Sequence, residues 1–286
     1  MTIAAILIVL VAVIAGPTLW RLAKPATRTL ALSFCQLGLR ARSRPFQLRS
    51  GACIIFAPHQ DDESLGCGGL IARKRNEGLP VQVVFITDGG ASHLGHPAIS
   101  AGEIASRRRR EALGALAILG VESCAIHFLD EPDSTLDNLV PERQAALIDR
   151  LAALLAEVHP AEIFLPCSPD GSTEHDSAFS FICAALARAS VRPEIWQYPV
   201  WSWWNPGLLF TRVLSNDGCY AQPTEDYAVI KTQALARYRS QMEPTPPWSA
   251  PVLPPRLVQN CNSPREFFFR FFLPPPGVDP ARPPVI

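Results

Sequence analysis

Five short apolar runs, each closed by a polar or glycine-bearing turn, constrain this chain more than any other feature. They are 52–58 (ACIIFAP), 81–87 (VQVVFIT), 124–130 (CAIHFLD), 162–167 (EIFLPC) and 194–201 (EIWQYPVW). Segments of helical spacing fall between them. One covers 64–78 and ends at Gly78; another covers 101–119 and stops at Gly120. A third, 141–157, puts Leu147, Leu151, Leu154 and Leu155 on one stripe, and a fourth helix starts near Asp176. Strands alternating with helices predict parallel βαβ units. The expected fold is therefore α/β and Rossmann-like, a mostly parallel sheet with helices on both faces. The 286 residues, 48% of them hydrophobic, suffice to bury such a core.

The two ends of the chain read differently. The opening MTIAAILIVLVAVIAGPTLW carries no charge and approaches the length of a membrane-spanning helix. Arg21, Lys24 and Arg28 follow it, which by the positive-inside rule predicts a single-pass membrane protein with a cytoplasmic catalytic domain. The expected organisation is a membrane anchor at 1–22, a linker at 23–49, a catalytic domain at 50–245 and a Pro-rich extension at 246–286. The extension is expected to be irregular, with its aromatic run REFFFRFF packed on the domain or touching lipid.

Lys plus Arg equals Asp plus Glu, 26 each, so the basic excess of a nucleic-acid binder is absent and no such partner is expected. Eight cysteines occur without a CxxC, which argues against a zinc ribbon or a thioredoxin-like motif. Cys53, Cys67, Cys167 and Cys183 lie in apolar stretches and read as reduced, buried thiols.

In a parallel sheet of this kind, ligands bind beyond the carboxyl ends of the strands. The polar turns collect there: HQDDE after the first strand, TDGGASHLGH after the second, DEPDS after the third and SPDGSTEHD after the fourth. His59, Asp61, Asp62 and Glu63 follow a buried strand at once. Adjacent carboxylates repel, and burying them unpaired is costly, so a divalent cation is the simplest counter-charge. His59 and Asp62 are three apart with Asp61 between them, and His175 after the fourth strand is the obvious third donor. Two His and one Asp with an open position suit catalytic zinc, and also ferrous iron. Spacing alone leaves open which of Asp61 and Asp62 binds. A lone histidine is more often a core or surface residue, but one inside HQDDE at a strand end is better read as a ligand.

Of the four arginines at 107–110, only one or two can face a site, because consecutive helical residues point in different directions. The aromatic YPVWSWWNPG, 198–207, suits a sugar platform or a core equally. Gly66, Gly68 and Gly69 match neither GxGxxG nor a P-loop and read as close packing at a helix start.

The ordered set PHQDDESLGCGG, FITDGG, SRRRREALGALAILGV, FLDEPDSTL, SPDGSTEHDSA and KTQALARYRSQ resembles the PIG-L/LmbE-like N-acetylglucosaminyl deacetylases over about residues 50–245. The resemblance implies that His59, Asp62 and His175 bind Zn2+ and that Asp61 is the general base. It implies a substrate-contacting Arg108, in an RxxE pattern with Glu111, and with it Asp88 and Ser172 in the neighbouring turns. The implied activity is hydrolysis of the N-acetyl group of an N-acetylglucosamine-type sugar or glycoconjugate, giving acetate and a free amine. The membrane segment tilts the acceptor towards a lipid-linked one. The alternatives are an amide hydrolase with another substrate and a membrane-tethered glycan-binding protein without turnover. Three positions depart from the family pattern. Gln60 replaces the usual Pro, Ser172 stands where many members have His, and Glu174 where they have Asp. His93 and His96 are the candidates to supply the missing imidazole.

Overall fold

The computed structural model describes residues 25–214 and 218–273, with side chains from residue 28. Its centre is one eight-stranded sheet in the order β1-β7-β8-β6-β5-β2-β3-β4. The strands are β1 (Arg44–Pro45), β2 (Cys53–Ala57), β3 (Val81–Thr87), β4 (Ile126–Glu131), β5 (Glu162–Pro166), β6 (Glu194–Tyr198), β7 (Cys219–Pro223) and β8 (Arg265–Phe271). The helices are α1 (Pro25–Arg42), α2 (Asp62–Asn76), α3 (Ala101–Ile118), α4 (Pro141–Val158), α5 (Thr173–Arg188), α6 (Pro206–Leu214), α7 (Ala228–Leu235), α8 (Arg239–Met242) and α9 (Pro255–Cys261).

β4, β3, β2, β5 and β6 are parallel neighbours in that order. The expected mostly parallel α/β sheet flanked by helices is therefore present. From β2 the chain winds outward one way through β3 and β4, then returns to place β5 and β6 on the other side of β2. The strand order thus reverses between β2 and β5, which opens a crevice at their carboxyl ends.

Strand periodicity divides the core into two layers. Cys53, Ile55, Ala57, Val83 and Phe85 join one cluster with residues of α1, α2, α3, α7 and α9. Ile54, Phe56, Val84, Ile86, Ile163 and Leu165 point the other way, onto α4 and α5. Burial on both faces explains why these strands read as unbroken apolar runs. On α4 the stripe Leu147, Leu151 and Leu155 is fully buried, as its spacing predicts. α2 lies so close to the sheet that a Cβ on Gly66 would stand 2.2 Å from the Tyr198 ring, and one on Gly69 2.3 Å from Thr224. None of the eight cysteines forms a disulfide, and Cys53, Cys67, Cys167 and Cys183 are buried.

Three expectations are corrected. The linker expected at 23–49 is, from Pro25 to Arg42, helix α1, whose Leu32, Cys35 and Leu39 enter the same core cluster as β2. The irregular extension contains α9 and β8. β8 sits between β6 and β7, antiparallel to both, with Phe267, Phe268 and Phe269 buried. A central strand buried on both faces needs an apolar run with no alternation, and EFFF supplies one inside a Pro-rich tract. Finally, no helix among the described residues is long and apolar enough to cross a membrane. That overturns the expected single-pass membrane placement with a cytoplasmic domain, and the lipid-linked acceptor inferred from it loses its support. Residues 1–22, from which it was read, lie outside the described residues.

Candidate active site

The crevice at the β2/β5 reversal holds the predicted site residues. β2 ends at Ala57, and the chain turns through Pro58 to Asp61 before α2 begins at Asp62. Asp61 takes φ 153°, a backbone region unfavourable to side-chain-bearing residues by on the order of 1–3 kcal/mol. Its N–H donates to Glu63 Oε2 at 3.1 Å, and the Asp61 carbonyl accepts from Ser64 N and Leu65 N. This turn points Asp61 and Asp62 in different directions.

Asp62 Oδ2 is the hub. It accepts from the His59 backbone N–H at 3.0 Å and lies 3.3 Å from His59 Nδ1 and 3.2 Å from His175 Nε2. One ligand atom from each of His59, Asp62 and His175 falls within 4.8 Å of the others. Each imidazole is held from behind by a carboxylate. Asp133 Oδ1 is 3.2 Å from His59 Nε2, and Asp170 Oδ2 is 2.9 Å from His175 Nδ1. An ionised carboxylate only accepts, so those far nitrogens carry the protons. With each ring neutral, the nitrogens that face Asp62 then present lone pairs. His175 Nε2 is fully buried and has no hydrogen-bond partner. A buried lone pair beside a second lone pair and a carboxylate oxygen is the donor set a tetrahedral divalent metal requires, so these residues fit the implied ion.

The electrostatics agree. Burial disfavours the charged form of every group here, but the charges then separate. Burial lowers the His59 and His175 pKa values, yet hydrogen bonds and charges from Asp133 and Asp62 lift His59 to about 9, and Asp62 and Asp170 lift His175 to about 10. Burial is likewise outweighed at Asp62, where the two imidazoles hold the carboxyl well below its ordinary range, and at Asp133, which His59 holds at about 2. Asp61 goes the other way, pushed up to about 7 chiefly by burial, with Arg108 opposing. Without an ion, this cluster draws protons onto its imidazoles; with one, the cation takes their place.

Asp61 itself is fixed by Arg108, which the capped helix α3 delivers; Ser100 and Glu103 form its capping box. Arg108 Nη2 donates to Asp61 Oδ2 at 3.2 Å and to Gln60 O at 3.1 Å, and Nη1 donates to Gly89 O at 3.3 Å. Arg108 is therefore buried against the turn. Of its neighbours, Arg109 pairs with Asp130, and Arg107 and Arg110 extend from the surface of α3. Glu111 accepts from Ser240 N and Oγ, which anchors α8.

Asp88 Oδ1 accepts from Gly90 N at 2.8 Å and Asp133 N at 3.2 Å, so it folds two turns together. Ser172 is half-buried at the N-cap of α5, where its side chain makes no cap bond. Glu174 Oε1 accepts from Leu136 N at 2.9 Å. Its Oε2 is buried without a hydrogen-bond partner, 3.9 Å from His59 Nε2. His93 and His96 are engaged elsewhere. His93 stacks on Trp248 at 5.2 Å and reaches Thr245 Oγ1, and His96 Nε2 lies 3.0 Å from Pro246 O. Of the aromatic run, Tyr198 and Trp203 are core, and Trp201 N and Ser202 N donate to Asp170.

Asp133 and Asp170 escaped the sequence reading as functional residues. Both lie in strand-end turns that were read as polar, and a carboxylate in each turn that faces a candidate ligand was the available signal. Glu63, the third carboxylate of the HQDDE turn, accepts from the Tyr238 hydroxyl and from Ser64 Oγ and stays buried.

Comparison with known proteins places both the sequence and the fold. Residues 54–186 match the family model PIG-L: GlcNAc-PI de-N-acetylase, and they form a PIG-L family domain. The chain is 31% identical over 166 residues to the 1D-myo-inositol 2-acetamido-2-deoxy-alpha-D-glucopyranoside deacetylase of Mycobacterium sp. (strain KMS), covering 51% of each protein. It is 37% identical over 83 residues to the diacetylchitobiose deacetylase of Thermococcus kodakarensis, covering 29% of this chain and 30% of that one. The chain thus spans about half the length, or less, of the curated relatives it matches. Those relatives are deacetylases, hydrolases of amide bonds. Among solved structures, a conserved protein of Thermus thermophilus superposes with TM-score 0.55 at 23% identity, over 77% of this chain and 94% of that one. The N,N'-diacetylchitobiose deacetylase of Pyrococcus horikoshii gives 0.54 at 20%, over 86% and 91%. Both likenesses show the shared fold.

Proposed function

We propose that this protein is a metal-dependent N-deacetylase that cleaves the acetamide of an N-acetylglucosamine-type sugar into acetate and a free amine. The observation that carries the reading is the convergence on Asp62 Oδ2 of His59 Nδ1 and the unpartnered His175 Nε2, each imidazole backed by a carboxylate. His59, Asp62 and His175 would hold a divalent ion, with zinc the best match to two imidazoles and one carboxylate. When bound, the ion supplies Lewis acidity and makes water a nucleophile near neutral pH.

The chain's own residues do the rest. Asp61 stands beside the ligands without sharing their oxygen hub, and Arg108 occupies its Oδ2. Its Oδ1 accepts no hydrogen bond from the described residues, and it is the atom that takes the proton from the attacking water. The same carboxyl returns a proton to the amide nitrogen, which must be protonated to leave. Arg108 acts here as the positioning partner of Asp61 rather than as an open substrate contact. Ser172 stands at the N-cap of α5, where the family pattern has an imidazole, so a hydroxyl replaces that ring.

The experiment is metal analysis paired with acetate release from a panel of N-acetylated mono- and disaccharides. The reading expects about one metal per chain and acetate release from at least one N-acetylglucosamine compound. A fully metal-loaded protein that releases acetate from none of them overturns it.

A further inference from the structure

The amino ends of the strands, opposite the candidate active site, enclose a second cavity of about 920 Å³. The segment 44–50 and the adjoining ends of β6, β7 and β8 form its walls. Arg44, Arg49, Arg192 and Arg270 line it, and Glu194 is the one carboxylate in the lining. Glu194 accepts from Arg49 Nε at 2.7 Å and Nη2 at 2.6 Å, and from Arg270 Nη2 at 2.7 Å. One carboxylate thus orients two guanidiniums and neutralises only one. Arg44 and Arg192 form no ion pair with any carboxylate among the described residues. The whole chain balances 26 basic against 26 acidic residues. Three uncompensated charges around one cavity are therefore a local concentration, not the overflow of a basic protein. Behind them, Trp196 packs edge-on against Tyr220 at 5.0 Å and under Arg270, giving the cavity a stiff floor.

We propose that this cavity binds a phosphate-bearing anion. Guanidinium forks match phosphate oxygens two at a time; Glu194 engages and fixes Arg49 and Arg270, while Arg44 and Arg192 bring forks with no carboxylate partner among the described residues. The volume is that of a small-ligand site, and the position separates it from the deacetylase chemistry. β5 and β6 carry their catalytic-side residues, Asp170 and His175 after one and Trp201 and Ser202 after the other, at their opposite ends.

The test titrates the intact, metal-loaded protein with inorganic phosphate by calorimetry and thermal shift, alongside R44A/R192A and R107A/R110A. The first pair removes two arginines from the cavity, and the second removes two arginines from the surface of α3 as a control. The wild type and R107A/R110A should bind phosphate saturably and more weakly as salt rises. R44A/R192A should bind at least tenfold more weakly while keeping its metal content and acetate release. Any phosphate taken up at the metal would survive in R44A/R192A, so only the component lost there counts. Phosphatidylglycerol vesicles distinguish the sources of the group. Co-sedimentation that the double variant lacks assigns a headgroup, and phosphate binding without it assigns a free anion. No saturable binding by the wild type, or undiminished binding by R44A/R192A, overturns the proposal.

Discussion

Two buried charge clusters lie on either side of α2, and they differ in how completely their bonds are filled. At the far end of its first two turns, Lys231 Nζ donates to Leu65 O at 3.0 Å, Cys261 O at 2.8 Å and Glu266 Oε1 at 2.8 Å, which uses all three of its protons. Glu266 accepts from Gly69 N at 2.7 Å and Leu70 N at 2.8 Å as well. Nothing in that pair is left over. At the helix start, His59, Asp61, Asp62, Asp133, Glu174 and His175 crowd together, and His175 Nε2 and Glu174 Oε2 have no hydrogen bond. A closed cluster ties three segments of chain to one another. An open cluster, with acceptors in excess and an unpartnered ring nitrogen, leaves bonding capacity for a group that is not part of the chain.

The largest contrast comes from removing one member of each. His175→Ala or His59→Ala should abolish stoichiometric metal binding and with it acetate release, because a three-ligand site does not tolerate the loss of one. The fold should survive, since α5 remains packed through Phe179, Ile182 and Leu186. Elemental analysis of the purified variants checks this. Full metal content in His175→Ala removes that residue from the site.

Glu266→Ala should do the reverse. It leaves Lys231 buried without its carboxylate and takes the Glu266 oxygens away from Gly69 N and Leu70 N. The cost should be about 3–5 kcal/mol of stability, the scale for breaking a buried pair. Denaturant unfolding measures it. Metal per folded molecule should stay at the wild-type level, and a selective loss of metal without loss of stability would erase the distinction between the clusters.

Within the open cluster, the two adjacent aspartates should separate. Asp61→Asn keeps the size and the Arg108 contact region but cannot take a proton from water. Turnover should fall by about 100-fold or more with metal retained, the scale of general-base catalysis. Single-turnover acetate release on metal-replete protein gives the number. If Asp61→Asn sheds its metal while Asp62→Asn keeps it, the two roles are exchanged.

Much of the open cluster was legible in the sequence and almost none of the closed one. His59, Asp61, Asp62 and Glu63 fall within five residues, and a short motif at a strand end announces itself through the cost of bringing three carboxylates together. His175 follows from the parallel topology, which aligns the carboxyl ends of β2 and β5. Glu266 and Lys231, by contrast, stand 35 residues apart, and the helix they bond lies far upstream in the chain. Neither falls in a local pattern, and β8 itself was hidden because its short apolar run, which carries no period, lies inside a Pro-rich tract. α1 was missed for a related reason. Its buried residues, Leu32, Cys35 and Leu39, do recur at helical spacing, but an apolar leader and basic residues just before them drew the reading toward a membrane linker. The roles of Asp133 and Asp170 required the fold, since a carboxylate behind a histidine is a relation in space and not in sequence.

That relation makes the smallest and most discriminating prediction. Asp170 is wholly buried and accepts from His175 Nδ1, from Trp201 N at 2.9 Å, and from Ser202 N at 2.8 Å and Oγ at 2.5 Å. It belongs to both kinds of cluster: its bonds are filled, as at Glu266, yet it sets the proton on a ligand of the open site. Asp170→Asn places an amide among donors and removes the charge that makes His175 Nε2 the better base. Metal affinity should fall by about 10- to 100-fold, the usual effect of losing a carboxylate behind a metal-bound histidine. Competition with a chelator of known affinity measures it. Saturating zinc should then restore most of the turnover, because Asp61 and Arg108 are untouched. If excess zinc restores nothing and the melting temperature drops with the activity, Asp170 serves only to fold the 200–202 turn, and the histidine it touches needs no help to hold a metal.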